Sequence, residues 1–341
     1  AFSANFTPTD LVRNSNTLYE IYERTDIDAA AAAVQIQWDA LESEAAAGDE
    51  EWTAADQIVP EELLGLLGRE RLNPLQSKAL PVVFGSGISM IVTAPTGAGK
   101  FTVGEAACLK EIKLNRRKAA LIGPSRALAH EQREAFNRWR SEGVRVAILS
   151  GDEDVDISSL ARADLWVGTY ESFESAFRKS ALADVVADLG CVVIDEIHKL
   201  GDETRGPLLE ALLARLRLLS SRTRLVGLSA TVANNQELAE WLQAELVEVC
   251  WRPIQLTTQL VPYETQDKWI DNEKTKDVPT KELVREITEE GGSIVIFCGS
   301  KHKVRHVATE LAGIPNEGNE EDIAQLALEN GVGIHYRGLS H

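Results

Sequence analysis

VTAPTGAGKFT, from Val92 to Thr102, is the stretch whose reading decides the fold. The apolar run Ser89 to Val92 predicts a short buried strand, and Val103 to Ala107 predicts a helix entering the same core. The loop between them carries Gly97 and Gly99, which allow backbone conformations that a side chain forbids. Consecutive N–H groups of Thr96, Gly97, Ala98 and Gly99 can then turn inward onto an anion at the N-terminus of the helix. Lys100 adds a point charge for terminal phosphates. The pattern is a phosphate cradle in the form A-x-x-G-x-G-K, with Ala94 in the place of the usual first glycine. A Ser or Thr that helps hold Mg²⁺ normally follows the lysine, and here that position is Phe101. Thr102, one residue on, is rotated by about 100° on a helix and does not replace it.

The chain of 341 residues has room for two or three domains with cores of their own. Its 44% hydrophobic and 26% charged content is that of a globular protein. No apolar run approaches bilayer length and the N-terminus AFSANFTPTD has no basic, then apolar, leader, so the expectation is a cytoplasmic protein with no membrane partner. Cys108, Cys191, Cys250 and Cys298 lack paired spacing and read as small core residues. A net charge of -18 bears on solubility and steering, and a basic groove can sit inside an acidic coat.

Working outward, residues 1–59 read as a separate helical appendage, with helical composition over 14–23 and 29–47. Residues 60–252 alternate. Strand candidates are 119–122, 144–149, 165–167, 191–194, 224–228 and 246–250, with helices such as 127–140 and 208–219 between them. Short apolar runs alternating with helices imply a parallel α/β sheet covered on both faces, with ligands at the carboxyl ends of its strands. Residues 253–279 read as a strand running into a polar linker. Residues 280–341 supply helix, strand, helix, helix and part of one more strand, an incomplete second lobe.

The strand ends carry the chemistry. Asp195 and Glu196 leave an apolar strand together, a costly placement unless they engage a cation or a water. Asp195 can hold Mg²⁺ and Glu196 can polarise an attacking water, with His198 as a relay. Taken alone, such a pair is often no more than a helix start. Ser229 and Thr231 end the next strand, where hydroxyls also serve as helix caps. Pro124 to Leu128, with Arg126, and Gly168 to Ser172, with Thr169, offer hydroxyls, amides or a guanidinium to a phosphate backbone. Gln76 lies upstream of the loop. Its amide could read an adenine edge, although a lone helix glutamine is more often simply solvated.

Taken as an ordered set, Leu72 to Gln76, APTGAGK, PSRALA, GTYES, DEIH with Arg205-Gly206-Pro207, GLSAT and Trp251-Arg252-Pro253 resemble a superfamily 2 DExH-box helicase of the Ski type. The resemblance is strongest to the archaeal DNA-repair branch, and Ile296-Phe297-Cys298 and the terminal GIHYRGLSH extend it to the C-terminus. It implies a RecA-like fold, complete in the first lobe and partial in the second. It also implies an ATP- and Mg²⁺-dependent motor moving 3′ to 5′ on a single-stranded or forked nucleic acid, DNA favoured over RNA. Gln76 would recognise adenine, and residues 96–102 would cradle phosphates. Asp195 would bind Mg²⁺ and Glu196 would orient water. His198, Ser229 and Thr231 would couple hydrolysis to movement, and Arg126, Thr169 and His335 would track the strand.

The departures are Phe101 and the missing arginine-bearing part of the second lobe. An arginine of that kind is worth orders of magnitude in phosphoryl transfer. The expectation is a motor fragment impaired on its own, its remaining segments supplied by a longer gene product or by another chain. The alternative is a non-catalytic nucleotide- or strand-binding module, or a helicase relic. Two further patterns carry nothing. Asp152, Asp154 and Asp156 have calcium-loop spacing, but Ile157 and Ala163 occupy the positions that need Gly and Glu. Cys298, His302 and His306 lack a fourth ligand for zinc.

Overall fold

In the computed structural model two short strands, β1 (Asp10–Arg13) and β2 (Thr17–Glu23), open the described chain. Residues 10–13, 17–23, 52–124, 133–149, 157–230, 234–253, 257–263, 269–316 and 318–335 are described. By internal packing the chain divides into one unit of residues 44–253 and another of residues 1–43 with 254–341.

In the larger unit a small antiparallel ribbon of β3 (Thr53–Ala54) and β4 (Arg71–Leu72) encloses α1 (Glu61–Leu67). Next come α2 (Pro74–Gly85), β5 (Met90–Thr93), α3 (Lys100–Leu109), β6 (Lys118–Gly123) and α4 (Arg133–Ser141). They are followed by β7 (Val146–Leu149), α5 (Ile157–Arg162), β8 (Leu165–Thr169), α6 (Tyr170–Phe177) and α7 (Ala183–Ala187). The unit ends with β9 (Leu189–Ile194), α8 (Gly206–Leu219), β10 (Arg224–Ser229), α9 (Asn235–Leu242) and β11 (Glu245–Glu248).

Seven strands form a sheet in the order β11-β5-β10-β9-β6-β8-β7, and every pairing in it is parallel. Parallel neighbours need crossovers, and the crossovers here are largely helices, so the central strands are covered twice. All residues of β5, β8, β9 and β10 are buried accordingly. Alternate side chains feed two apolar layers. Met90 and Val92 of β5 join one layer with Leu75, Leu80, Val103, Phe136 and Trp139, whereas Ile91 joins the other with Phe173, Leu209 and Leu212. The helix after the glycine loop is seated unusually close to the sheet. A Cβ at Gly104 would stand 2.8 Å from Cγ1 of Val193, so α3 lies on β9 at a distance that only glycine allows.

In the other unit, β12 (Thr257–Tyr263), α10 (Trp269–Glu289), β13 (Ile294–Phe297), α11 (Lys301–Ala312) and α12 (Glu320–Glu329) follow in order. Their sheet runs β12-β2-β1-β13, and Ile294 and Ile296 pack on Ile287 of α10. Here the helical appendage expected over 1–59 is corrected at its described residues. Residues 17–23, TLYEIYE, form a strand paired on both sides, parallel to β12 and antiparallel to β1, and residues 53–54 are also extended. The aromatic and β-branched residues of 17–23 suit a strand once partners exist, and one of those partners, β12, lies far away in sequence. Residues 29–47 lie outside the described residues. The linker expected over 253–279 is corrected too. After β12, α10 starts at Trp269 and runs through Pro279, which removes one hydrogen bond without ending a helix formed on both sides of it. Among the described residues no helix is long and apolar enough to cross a membrane.

Candidate functional site

Three neighbouring strands build the site at their carboxyl ends. Register sets Thr93 of β5 opposite Ser229 of β10, and Gly227 of β10 opposite Ile194 of β9. The loop 94–99, the pair Asp195-Glu196 and Ser229 therefore emerge side by side, although they are far apart in the chain. Ala94 N–H donates to the Ser229 carbonyl at 3.3 Å, which fastens the start of the loop to β10.

Gly97 and Gly99 have φ of 84° and 81°, the left-handed region that glycine enters without strain. Gly99 is also the N-cap of α3, and a Cβ there would stand 2.7 Å from Nε2 of Gln76. Thr96 and Gly97 are exposed and Ala98 is buried. Lys100 Nζ donates to the carbonyls of Ala94 at 2.7 Å and Pro95 at 3.0 Å. Burial lowers its pKa, and Glu196 and Asp195 facing it work in the opposite direction. Lysine and acid pair thus share one electrostatic site.

Asn73 and Gln76 hold the loop from below. They form a reciprocal capping box at the start of α2, Gln76 N–H to Asn73 Oδ1 at 3.0 Å and Asn73 N–H to Gln76 Oε1 at 3.2 Å. Asn73 Nδ2 then donates to the Ala98 carbonyl at 2.9 Å, and Gln76 Nε2 to that of Gly99 at 3.3 Å. Gln76 is buried, which corrects the solvated alternative. Its amide is turned inward on the loop, with one N–H and one lone pair left over. Phe101 is half-buried and packs on the apolar layer beside α3, while Thr102 is buried. The ring is therefore part of the packing, and Thr102 has no exposed hydroxyl to offer a cation.

At the acid pair, Asp195 N–H donates to the Ile122 carbonyl at 2.8 Å, and Asp195 Oδ1 accepts from Glu196 N–H at 3.0 Å. Glu196 has φ of 53°, a left-handed backbone in a residue that is not glycine. Its carboxylate lies 3.0 Å from His198 Nε2. On the other side of the ring, His198 Nδ1 accepts from Ala230 N–H at 3.4 Å and lies 3.4 Å from Ser229 Oγ. An Nε2-protonated, neutral imidazole satisfies both sides. Burial lowers the pKa of His198, against the pull of Glu196. Glu196, His198 and the end of β10 are thereby one connected chain.

Thr169 is buried, and its hydroxyl accepts from Ser172 N–H as the cap of α6. Arg126 and Thr231 lie outside the described residues, as do Asp152, Asp154 and Asp156. His335 is exposed and belongs to the other unit. His306 Nε2 lies 2.8 Å from Asp277 Oδ2, and no group of three or more possible metal ligands occurs among the described residues. Two contributors lie inside motifs read in the sequence, Leu72 to Gln76 and GTYES, without a role assigned to them there. Asn73 was legible, since Asn-Pro three residues ahead of Gln is a capping signal. Tyr170, whose hydroxyl donates to the Asp195 carbonyl, left no local signal.

Residues 73–239 match the family model described as DEAD/DEAH box helicase. The ATP-dependent DNA helicase Hel308 of Thermoplasma volcanium is 32% identical over 269 residues, covering 76% of this chain and 39% of the relative. Hel308 of Pyrococcus abyssi is 31% identical over 298 residues, covering 82% of this chain and 41% of its own. The chain thus spans about two fifths of the length of these relatives. Two solved structures of the DUF1998 helicase MrfA share the fold. With DNA bound the TM-score is 0.58 at 18% identity, covering 78% of this chain and 40% of that one. With DNA and AMPPNP it is 0.60 at 19% identity, covering 83% and 40%. The glycine loop, the acid pair and the Ser229 strand end all fall inside residues 73–239, the span that matches the DEAD/DEAH box helicase model.

Proposed function

We propose that residues 44–253 are the nucleotide-hydrolysing part of an ATP-dependent motor on nucleic acid, DNA in preference to RNA, moving 3′ to 5′ along a single strand or at a fork. The observation that carries this reading is the meeting of Lys100, Asp195, Glu196, His198 and Ser229 at the ends of β5, β9 and β10. The Hel308 relatives are named as DNA helicases, which favours DNA.

The residues fit a nucleotide triphosphate with Mg²⁺. The left-handed glycines open the loop amides to phosphate oxygens, and Lys100 would exchange the carbonyls of Ala94 and Pro95 for the terminal phosphates. Asp195 would hold Mg²⁺, an ion commonly bound through one or two carboxylates, substrate phosphates and waters. When bound, that ion neutralises charge developing on the phosphates. Glu196, 37% exposed at its side chain, would orient the attacking water. His198 keeps Glu196 in register with Ser229, the end from which movement would be driven. Thr169 and Arg126 would contribute their segments to the strand path, and Gln76 its spare N–H and lone pair to adenine.

Phe101 favours a second reading, a binder of nucleotide or strand that does not turn over. ATP hydrolysis with and without single-stranded DNA or RNA separates the two, measured on this chain and on Phe101→Thr. The motor reading expects stimulation by DNA and a further rise of about tenfold in Phe101→Thr, as a metal-contacting hydroxyl is restored. No stimulation by either nucleic acid in either protein would sink it and leave the binder.

A further inference from the structure

The left-handed turn at Glu196 needs a restraint. In a residue with a Cβ this conformation is strained, and such strain persists only where surrounding contacts over-determine it. Two of those contacts are local, Asp195 Oδ1 to Glu196 N–H and Lys199 N–H to the Glu196 carbonyl at 2.9 Å. Asp195 N–H is also held by the Ile122 carbonyl of β6 at 2.8 Å, and a side chain from another distant segment joins them. Tyr170 Oη donates to the Asp195 carbonyl at 2.5 Å and lies 3.3 Å from that of Glu196, across 25 and 26 positions of sequence.

Tyr170 is well suited to hold a position. It is the first residue of α6, directly after the cap formed by Thr169 and Ser172. Its ring is fully buried in the apolar layer with Phe173, Leu209 and Ile197. With ring and backbone both fixed, the hydroxyl has little freedom. Burial, with Asp195 and Glu196 nearby, raises the phenol pKa well above its ordinary value, so it remains a donor across the working range of pH.

We propose that Tyr170 is a positioning residue: its hydroxyl clamps the turn that presents Glu196 and makes that turn answer to the N-terminus of α6. The clamp stands on geometry alone. That nucleic acid at the Gly168–Ser172 segment is felt at Glu196 through Tyr170 deepens the motor reading and rests on it.

Tyr170→Phe removes the hydroxyl and keeps the ring. Amide hydrogen exchange of Glu196 and Lys199 should become about tenfold faster, with the rest of the sheet unchanged. Phe173→Leu, which thins the same layer without touching the turn, should lower overall stability and leave that selective effect absent. In the hydrolysis assay Tyr170→Phe should lower kcat about tenfold with KM for ATP and affinity for single-stranded DNA within twofold, because what is lost is alignment. Single-stranded DNA should slow exchange at Glu196 in the natural chain and fail to do so in Tyr170→Phe. Equal exchange at Glu196 and Lys199 in the natural chain and Tyr170→Phe overturns the clamp. A natural chain that neither binds DNA nor hydrolyses ATP overturns the motor reading and the link to nucleic acid, and the exchange measurement still decides the clamp.

Discussion

Lys100 and Lys110 stand at the two ends of one helical run, the first residue of α3 and the residue just past its last. Their local chemistry is nearly the same. Lys100 Nζ donates to the carbonyls of Ala94 and Pro95, and Lys110 Nζ to those of Val83 at 2.8 Å and Ser86 at 3.1 Å. Burial lowers the pKa of both. They differ in their company. Lys110 faces Arg224, whose Nη1 also donates to the Val83 carbonyl at 2.9 Å and whose Nη2 reaches that of Val82 at 3.2 Å. Val82 and Val83 lie in the last turn of α2, where the Ser86 N–H meets the Val82 carbonyl at 3.2 Å, and the two cations complete the closing of that helix end. Lys100 faces two carboxylates and an open glycine loop. A charge that completes a hydrogen-bond inventory is structural, and one held among other charges beside exposed amides is available for a ligand.

The largest break in that comparison is expected at Lys100. Lys100→Ala should weaken ATP binding or strand-stimulated hydrolysis by about 100-fold, the scale for removing one charge stabiliser from a reacting centre. Its unfolding free energy should stay within about 0.5 kcal/mol of the natural chain, since the loop carbonyls it leaves can take water. Calorimetric titration with ATP and denaturant unfolding report the two quantities separately. A stability loss without an affinity loss would put Lys100 in the same class as Lys110.

Only one of the two lysines could be told apart in the sequence. Gly97, Gly99 and Lys100 form a spacing with a mechanical meaning, and the parallel sheet around them was legible because each strand is a short apolar run ending in polar residues. Lys110 has no such signal, because its partners Val83 and Arg224 are set by the packing of α2 on the sheet. The role of Tyr170 within GTYES was invisible for the same reason, its partners Asp195 and Glu196 being brought near by the pairing of β6 with β8 and β9. Residues 17–23 show the failure most clearly. Their composition permits helix or strand, and pairing with 257–263 and 10–13 decides it. Local signals identify a site where chemistry demands special residues, and long-range pairing sets what holds that site in shape.

A pH-dependent effect lies between the two lysines, at Glu105 on the buried side of α3. Burial pushes its pKa from an ordinary 4.5 up to about 7, more than the nearby Arg69 and Arg138 can offset. The folded state therefore keeps this proton where the unfolded chain has lost it. Stability falls as pH rises through that window and levels off above about 7, by up to about 3 kcal/mol. Glu105→Gln, neutral at every pH, should match the natural chain near pH 4 and exceed it by up to that amount at pH 8. Denaturant unfolding at several pH values checks this, and parallel curves for the two proteins would mean that the carboxyl ionises in the fold over the same pH range as in the unfolded chain.

The smallest effect returns to Lys110. Lys110→Met keeps the apolar stem and removes two donors from the end of α2, while Arg224 still covers Val82 and Val83. The expected loss is about 1 kcal/mol of unfolding free energy, the net worth of a hydrogen bond to a partly buried carbonyl. ATP affinity should stay within twofold, because nothing at the carboxyl ends of the strands has moved. The sign of the contrast is what matters: affinity without stability at Lys100, stability without affinity at Lys110. If Lys110→Met weakened ATP binding as Lys100→Ala does, α3 would have to transmit strain along its whole length, and the division between a helix-closing cation and a ligand-facing one would fail.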